Sequence, residues 1–496
     1  MNLPANSHIH LIGICGTAMA SLAGLLKSSG YKVTGSDQNV YPPMSTQLQE
    51  LGIPIQTGYK KENLNPRPDL VIVGNVIPKS NPEAEALLAS DIPYTSLPKA
   101  MGDFAIASRD CIVIAGTHGK TTTTSMMTWA SDSAGHKAGY MIGGIPENYG
   151  QSFRISKDNY FIIEGDEYDT AFFDKVPKFI HYKPKYVVLT SVEFDHADIY
   201  KDLEAVKDSF RRLLTLIPAD GVLIANSDNK NVADLIKEIS VEAKVGPGIA
   251  HGTYVSKYGY KICTYGVGSS DRDQSLNAPD YKLVDRETID GRNHFVAVHE
   301  GKRIADIAIK QSGEYNALNA LAVYAMAREL KWDLNKTLQG LASFKGVKRR
   351  QQVLGTPNNV TVIEDFAHHP TAVKVTLSGI REQYIKNGRL FALFEPRSAT
   401  SRRKVFQNDY VQAFSEANFV CIAKPFDQSK INEADRFSST ELVADMRLKK
   451  IDAHEFDNSD QIVEFVKKNA RPGDVVVIMS NGAFDGIYQK LLKALA

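Results

Sequence analysis

The stretch from Cys111 to Thr124, C-I-V-I-A-G-T-H-G-K-T-T-T-T, decides the fold of this chain. An apolar run ends at Ala115, and a loop with two glycines leads into Lys120 and a row of threonines. Beyond the loop, apolar residues recur at helical spacing, at Met126, Met127, Trp129 and Ala130. This order predicts a strand, a glycine loop and a helix.

Such a loop turns backbone N–H groups toward a phosphate at a helix N-terminus. Lys120 can reach the outer phosphates, and a threonine hydroxyl can bind Mg²⁺. The general pattern G-x-x-x-x-G-K-[ST] has its first glycine where this chain has Ile114, so the loop is a variant. A strand-to-helix turn that only happens to contain G-K-T-T is the alternative. We expect a triphosphate to contact Gly116, Thr117, His118, Gly119, Lys120, Thr121 and Thr122.

Apolar runs that end on small or charged residues recur along the chain. They are Ile9–Ile12, Leu70–Val73, Tyr160–Ile163, Tyr186–Val192, Val360–Ile363, Leu390–Phe394 and Val475–Met479. Continuous apolar strands that alternate with helical segments predict parallel sheets covered on both faces. Ligands of such sheets bind at the carboxyl ends of the strands, where these polar residues lie.

Composition limits the class of protein. The 496 residues correspond to about three domains. Lys and Arg total 58 against 57 Asp and Glu, which argues against nucleic acid as the main partner. The four cysteines show no C-x-x-C spacing, so they suggest neither a zinc site nor a disulfide framework. Without a basic and apolar leader or a long apolar run, we expect a cytoplasmic protein with no membrane insertion.

The first unit, Leu11–Asp37, reads as strand, glycine loop, helix and strand. Asp37, the acidic residue at its end, is suited to hydrogen-bond a ribose hydroxyl. Cys15 and Ala18 occupy two glycine positions of the G-x-G-x-x-G fingerprint, so an NAD site is doubtful. A site for a different nucleotide and a purely structural unit both remain open.

Carboxylates follow two strands of the second domain. Glu164, Asp166, Glu167 and Asp169 follow the first strand, and Glu193, Asp195 and His196 follow the second. Oxygen ligands beside a triphosphate are what Mg²⁺ requires. A solvated acidic loop and a structural histidine are the alternatives.

Weaker patterns fill the region from Asn229 to Ile309. Asp290-Gly291 and Glu300-Gly301 predict hairpin turns within a small antiparallel excursion. A helix is expected from Tyr315 to Leu330, with Asn316 and Asn319 on one face. These amides suit either an adenine edge or helix capping.

A basic link, Lys345–Arg350, precedes a third α/β domain, and a first boundary is expected near Ser108. Basic runs are usually solvated surface, but this run's place between two domains also suits a phosphate. The third domain carries D-F-A-H-H-P at Asp365–Pro370, E-P-R-S at Glu395–Ser398 and S-N-G at Ser480–Gly482.

Taken in order, these motifs resemble the Mur ligases, an ATP-dependent family that builds the peptide stem of bacterial cell wall. The motifs are A-G-T-H-G-K-T-T at Ala115–Thr122, E-G-D-E-Y-D at Glu164–Asp169, E-F-D-H at Glu193–His196, G-E-Y-N-A-L-N at Gly313–Asn319 and D-F-A-H-H-P. The resemblance covers nearly the whole chain. The glycine loop, with its histidine His118, resembles the loop of the family branch that acts on UDP-N-acetylmuramate.

The resemblance implies residue roles. It implies catalytic roles for Lys120, His196 and Glu164, and Mg²⁺ ligation by Thr121, Glu164 and His196. Around ATP it adds Asn316, Arg350 and Asp365 to the glycine loop. For the UDP-sugar it implies Gly13, Gly16, Thr17, Asp37 and Asn75, and for the peptide Arg397 and Asn481.

The architecture implied is α/β, with an N-terminal Rossmann-like domain (1–107), a central P-loop ATPase-like domain (108–343) and a C-terminal Rossmann-like domain (344–496). Three stretches resemble family members that attach L-alanyl-γ-D-glutamyl-meso-diaminopimelate to UDP-N-acetylmuramate: H-A-D-I-Y at His196–Tyr200, N-V-Y-P-P-M-S-T at Asn39–Thr46, and the pair E-P-R-S and M-S-N-G. Attachment of L-alanine is the alternative. We expect ATP and Mg²⁺ as cofactors and a monomer or weak homo-oligomer.

Two alternatives come from other classes. A plain P-loop ATPase is disfavoured by the second nucleotide unit at Gly13, and a non-catalytic nucleotide-binding regulator would not need Glu164 and His196 at strand ends.

Overall fold

The computed structural model describes residues 3–40, 44–107, 109–242, 254–268 and 278–496. Within these ranges the chain forms three helix-connected sheets and a small ribbon, which confirms the predicted α/β class. No helix in the described ranges is long and apolar enough to cross a bilayer. Ser108 and part of the stretch Asn39–Thr46 lie outside the described residues.

The first sheet is entirely parallel. Its strands are β1 His8–Ile12, β2 Lys32–Asp37, β3 Ile55–Thr57, β4 Leu70–Val73 and β5 Tyr94–Ser96. The helices are α1 Thr17–Ser28, α2 Met44–Glu50, α3 Pro82–Leu88 and α4 Leu97–Ala100. In the spatial order β3-β2-β1-β4-β5, successive strands are added on one side of β1 up to β3 and on its other side from β4 onward. A ligand crevice is therefore expected at the carboxyl ends of β1 and β4.

The central sheet is mixed. Its strands and those of the ribbon are β6 Asp110–Ala115, β7 Gly139–Met141, β8 Phe153–Arg154, β9 Tyr160–Gly165, β10 Asp169–Ala171, β11 Asp174–Pro177, β12 Pro184–Leu189, β13 Val222–Asn226, β14 Ser240–Glu242, β15 Tyr254–Ser256, β16 Lys261–Val267, β17 Tyr281–Ile289, β18 Arg292–His299 and β19 Lys302–Ile309. The helices are α5 Lys120–Ser133, α6 Leu203–Thr215, α7 Lys230–Ile239, α8 Glu314–Glu329 and α9 Leu334–Ser343. The main path runs β19-β18-β17-β16-β13-β12-β6-β9-β7-β8, and β10 pairs with β11 as the ribbon. Strand β6 therefore lies between β9 and β12, parallel to both.

Both predicted hairpins are confirmed. β17, β18 and β19 are antiparallel and turn at Asp290-Gly291 and Glu300-Gly301. The start of the region with weaker patterns is helical, because Asn229 caps helix α7 by accepting the Val232 N–H. The apolar spacing of this amphipathic helix was overlooked among the weaker patterns.

The third sheet has one antiparallel edge strand. Its strands are β20 Gln352–Gly355, β21 Thr361–Asp365, β22 Leu390–Phe394, β23 Phe419–Ala423, β24 Ala453–Phe456 and β25 Val475–Met479. The helices are α10 Pro370–Tyr384, α11 Gln407–Ala413, α12 Ser439–Leu448, α13 Ser459–Asn469 and α14 Ile487–Leu495. In the order β20-β21-β25-β22-β23-β24, only β20 is antiparallel to its neighbour.

Helix α1 fixes the first sheet to the central one. A Cβ on Gly24 would overlap the ring of Phe153, so glycine permits this close approach. Ser21 Oγ and Ser152 Oγ lie 2.7 Å apart at the same contact. One buried apolar cluster continues from α1 into the central sheet, so the two units share a core.

Candidate active site

The glycine loop joins β6 to α5 as predicted. Gly116 has a φ of +131°, and a Cβ there would overlap Thr190 Oγ1, so only glycine fits. The Thr117 N–H donates to Ser191 O at 2.9 Å, and the His118 N–H donates to Ser191 Oγ at 3.0 Å. These two N–H groups fix the loop to the segment after β12.

The start of α5 presents its own N–H groups. Gly119 precedes the helix in the left-handed region, with a φ of +82°, and supplies no side-chain cap. The N–H groups of the first helical turn have no intrahelical partner, and the helix dipole favours an anion there. The start of α5 can therefore hold a phosphate.

Lys120 projects into a group of carboxylates. Its Nζ donates to Gly116 O at 2.7 Å and to Glu167 Oε2 at 2.8 Å. Burial disfavours the ammonium form, but the carboxylates of Glu167 and Asp166 raise the pKa of Lys120 above its ordinary value. Lys120 is thus charged and aligned beside the loop.

Thr121 and Glu164, two of the expected Mg²⁺ ligands, lie in contact. The Thr121 hydroxyl donates to Glu164 Oε2 at 3.0 Å, and the Gly143 N–H donates to Oε1 at 2.5 Å. Desolvation nevertheless raises the pKa of Glu164, because these donors compensate its charge incompletely. A divalent cation would supply the missing positive charge, so this oxygen pair fits Mg²⁺.

His196, the third expected ligand, has a different partner. Its Nε2 lies 3.5 Å from Glu167 Oε1, and its backbone adopts a φ of +55°. Burial favours the neutral ring, but the bond to Glu167 raises the pKa of His196. Glu167, which is 1% exposed, therefore joins His196 to Lys120.

The remaining residues considered for the nucleotide are two asparagines of α8 and the residues Asp365 and Arg350. Asn319 Nδ2 donates to Asn316 Oδ1 at 3.3 Å, which confirms their common helix face. Asp365 accepts the N–H groups of Gln351 and Ala367, each at 2.8 Å. The Arg350 guanidinium lies 4.5 Å from the centre of the Phe366 ring.

Many of these groups line one cavity of about 330 Å³, whereas Gly116, Glu167 and Asn319 do not belong to its wall. Its wall includes the predicted residues Thr117, His118, Gly119, Lys120, Thr121, Thr122, Glu164, His196, Asn316, Arg350 and Asp365. The cavity therefore lies between the central sheet and the third, at the carboxyl ends of β6, β9 and β21.

The third domain contacts the central one at residues 193–197. Thr371 Oγ1 donates to Glu193 Oε2 at 2.7 Å, and Thr400 Oγ1 donates to Asp195 Oδ1 at 2.8 Å. Burial opposes ionisation of Glu193, but hydrogen bonds from His118 and Thr371 lower its pKa to about 2. Burial, with His118 nearby, lowers the pKa of His369 to about 4.

The expected UDP-sugar residues meet at one edge of the first sheet. Gly13, Gly16 and Thr17 follow β1, Asp37 ends β2, and Asn75 lies just beyond β4. Asp37 accepts the N–H groups of Cys15 and Asn39, each at 2.9 Å. Asp37 thus holds the loop in shape, while Gly16, Thr17 and Asn75 are exposed.

The two expected peptide residues are neighbours. The Arg397 guanidinium lies 3.8 Å from the centre of the Phe426 ring, and a Cβ on Gly482 would overlap Arg397. Next to Gly482, the buried Asn481 Oδ1 has no hydrogen-bond partner among the described residues. An arginine and an unpaired acceptor therefore lie together after β22 and β25.

Sequence reasoning left Glu167 and Glu193 out of the site, although it noted both as carboxylates at strand ends. Their contacts to Lys120 and His118 span 47 and 75 residues of sequence. Their positions directly after β9 and β12 are the signal that could have identified them.

Family comparisons cover all three sheets. The chain matches the description "Mur ligase family, catalytic domain" over residues 8–109, "Mur ligase middle domain" over 114–327 and "Mur ligase, glutamate ligase domain" over 349–482.

Individual relatives agree with this match. The chain is 38% identical to the UDP-N-acetylmuramate:L-alanyl-γ-D-glutamyl-meso-2,6-diaminoheptandioate ligase of Haemophilus influenzae, over 98% of this chain and 99% of that protein. It is 31% identical to the UDP-N-acetylmuramate:L-alanine ligase of Clostridium tetani, over 96% of this chain and 95% of that one. The crystal structure of a murein peptide ligase from Psychrobacter arcticus aligns with a TM-score of 0.70 at 33% identity, over 99% and 98% of the two chains. This chain belongs to the Mur ligase family.

Proposed function

We propose that this chain is an ATP-dependent ligase that joins L-alanyl-γ-D-glutamyl-meso-diaminopimelate to UDP-N-acetylmuramate. The observation that carries the proposal is the single cavity in which the glycine loop, the carboxylates of the central sheet and Asp365 of the third domain converge. The relative named for the tripeptide activity is 38% identical, against 31% for the one named for L-alanine. We therefore favour the tripeptide as the second substrate.

Lys120 and the start of α5 would bind the ATP phosphates. Asn316, Arg350 and Asp365 would lie around the rest of the nucleotide. Thr121 and Glu164 would hold Mg²⁺, and His196 would reach it by leaving Glu167. The ion would offset the negative charge of the reacting groups.

The other substrates would bind at the two outer domains, which we place at residues 1–107 and 344–496 around a central domain of 108–343. The UDP-sugar would occupy the crevice at Gly13, Gly16, Thr17, Asp37 and Asn75. Arg397 and Asn481 would bind polar groups of the peptide. ATP and a UDP-sugar as substrates support a cytoplasmic location.

The chemistry must activate a carboxylate. A lactyl oxygen would attack the γ-phosphorus of ATP, releasing ADP and forming an acyl phosphate. The peptide amine would then attack the carbonyl carbon, lose a proton and expel phosphate as the amide forms. Two anions approach in the first step, so the charge of Lys120 and the α5 N-terminus must oppose their repulsion.

The test supplies purified protein with ATP, Mg²⁺, UDP-N-acetylmuramate and either the tripeptide or L-alanine. We expect phosphate release and a product of the mass of the UDP-linked tripeptide only with the tripeptide. Product with L-alanine alone would reassign the amine substrate, and equal phosphate release when UDP-N-acetylmuramate is omitted would indicate a simple ATPase.

A further inference from the structure

His118, Glu193 and His369 form a compact histidine–glutamate cluster, and the proposed reaction assigns no role to Glu193 or His369. Their ligand atoms all lie within 4.8 Å of one another. His118 Nε2 lies 3.2 Å, and His369 Nδ1 3.8 Å, from Glu193 Oε2. We propose that this cluster binds one Zn²⁺, or a similar dication that prefers imidazole, and thereby joins the glycine loop to the third domain.

Hydrogen bonds fix the tautomer of His369. The Thr371 N–H donates to His369 Nδ1 at 3.2 Å, so Nδ1 carries no proton. The proton is then on Nε2, which donates to Phe194 O at 3.2 Å. A ring whose second nitrogen donates to a backbone carbonyl is the usual arrangement of a metal-bound histidine.

The apposition of His369 and Glu193 also favours a cation. The lone pair of Nδ1 and the carboxylate oxygen are both acceptors, so at 3.8 Å they repel each other. A cation between them would attract both acceptors, so attraction to the ion would replace their mutual repulsion. On binding, it would replace the weak bond from the Thr371 N–H.

The spacing suits a tetrahedral ion after a small closure. Ligands of a tetrahedral zinc lie about 3.3 Å apart, given bond lengths of about 2.0–2.1 Å. The distances of 3.2 and 3.8 Å are close to that value. Rotation of the His118 and His369 rings would supply the remaining approach.

The cluster is also accessible. A cavity of about 320 Å³, lined by Glu193, Phe194, His369 and Thr371, opens beside it. This cavity is separate from the nucleotide cavity, whose wall includes His118 and His369. An ion could therefore enter from either side, and water could complete its coordination.

Such an ion would restrain separation of the two domains, because His118 belongs to the glycine loop and His369 caps α10. Zn²⁺ should consequently slow any cycle that requires opening. This site differs from the Mg²⁺ site, which involves Thr121 and Glu164.

The test measures zinc binding to the full chain, with zinc chloride as the probe and no nucleotide, by calorimetry and by anomalous scattering at the zinc edge. The variants are Glu193→Gln and His369→Gln. His368→Gln is the matched control, since the neighbouring His368 directs Nδ1 to Phe366 O, and His196→Gln reports on the Mg²⁺ site.

We expect one zinc per chain in the wild type and in both controls, with an affinity at least about tenfold weaker in the two cluster variants. The anomalous peak should lie between His118, Glu193 and His369. Unchanged affinity in the cluster variants, or a peak at Thr121, Glu164 and His196, would overturn the proposal. The wild-type peak decides the matter even if a variant fails to fold.

Discussion

At the scale of single residues, the site depends on how Lys120 is held. The G-K-T-T motif was sufficient to predict this lysine, since strand, loop and hydroxyl residues adjoin it in sequence. The motif could not predict Glu167 as its partner, because that contact requires β6 and β9 to lie side by side. The sequence thus predicts the local chemistry of the loop, but it does not predict which distant strands pair.

Lys120→Ala should abolish ligation, because the developing phosphate charge would lose its nearest cation. We expect a fall in kcat of at least about a hundredfold, measured by phosphate release. Lys175→Ala is the matched control, since Lys175 is an exposed lysine paired with Asp169 on the ribbon. More than a few per cent of wild-type turnover in Lys120→Ala would show that the loop does not hold the phosphates as proposed.

Glu167→Gln should weaken the alignment of Lys120 and His196, because the amide removes the negative charge that both side chains contact. A hydrogen bond to a charged group contributes about 1.5–3 kcal/mol, so kcat/KM for ATP should fall about ten- to a hundredfold. The His196 pKa should also fall, as followed by NMR. An unaltered His196 titration would contradict the positioning role of Glu167.

At the scale of elements, the strands and the glycine loops agreed with the sequence prediction, because apolar runs and glycine spacing are local signals. Helix α7 was missed because its pattern adjoins the less regular region before β17. The contacts of α10 with residues 193–197 were not predictable, since they join two domains across 175 or more residues of sequence.

His369, at the N-terminus of α10, should make the free energy of unfolding depend on pH. His369 has a pKa of about 4 in the folded chain against an ordinary 6.5, so the unfolded chain binds more protons between these values. Stability should therefore fall as pH decreases through this window, by about 2 kcal/mol between pH 7 and 5 from this residue.

His369→Gln removes this titration and should make the thermal midpoint less sensitive to pH from 7 to 5, whatever its absolute value. Equal pH slopes for the variant and the wild type would contradict the lowered pKa.

At the scale of the whole molecule, the nucleotide cavity lies where the central sheet meets the third, and Ala18 and Leu97 of the first unit also line it. The first sheet shares a buried apolar cluster with the central one at Gly24 and Phe153. The third meets the centre through polar contacts at Glu193 and Asp195, beside a ring contact between Phe194 and Phe406. A polar contact is easier to separate than a shared apolar core. The third domain is therefore the one expected to move during turnover.

The most direct test of the central claim follows oxygen from the lactyl carboxylate of UDP-N-acetylmuramate. With that group labelled with oxygen-18, and with ATP, Mg²⁺ and the tripeptide present, mass spectrometry of the released phosphate reports whether a carboxylate oxygen was transferred. An acyl phosphate predicts one labelled oxygen in each phosphate and one retained in the new amide. Unlabelled phosphate, formed together with the amide product, would contradict activation of the carboxylate by ATP in this cavity.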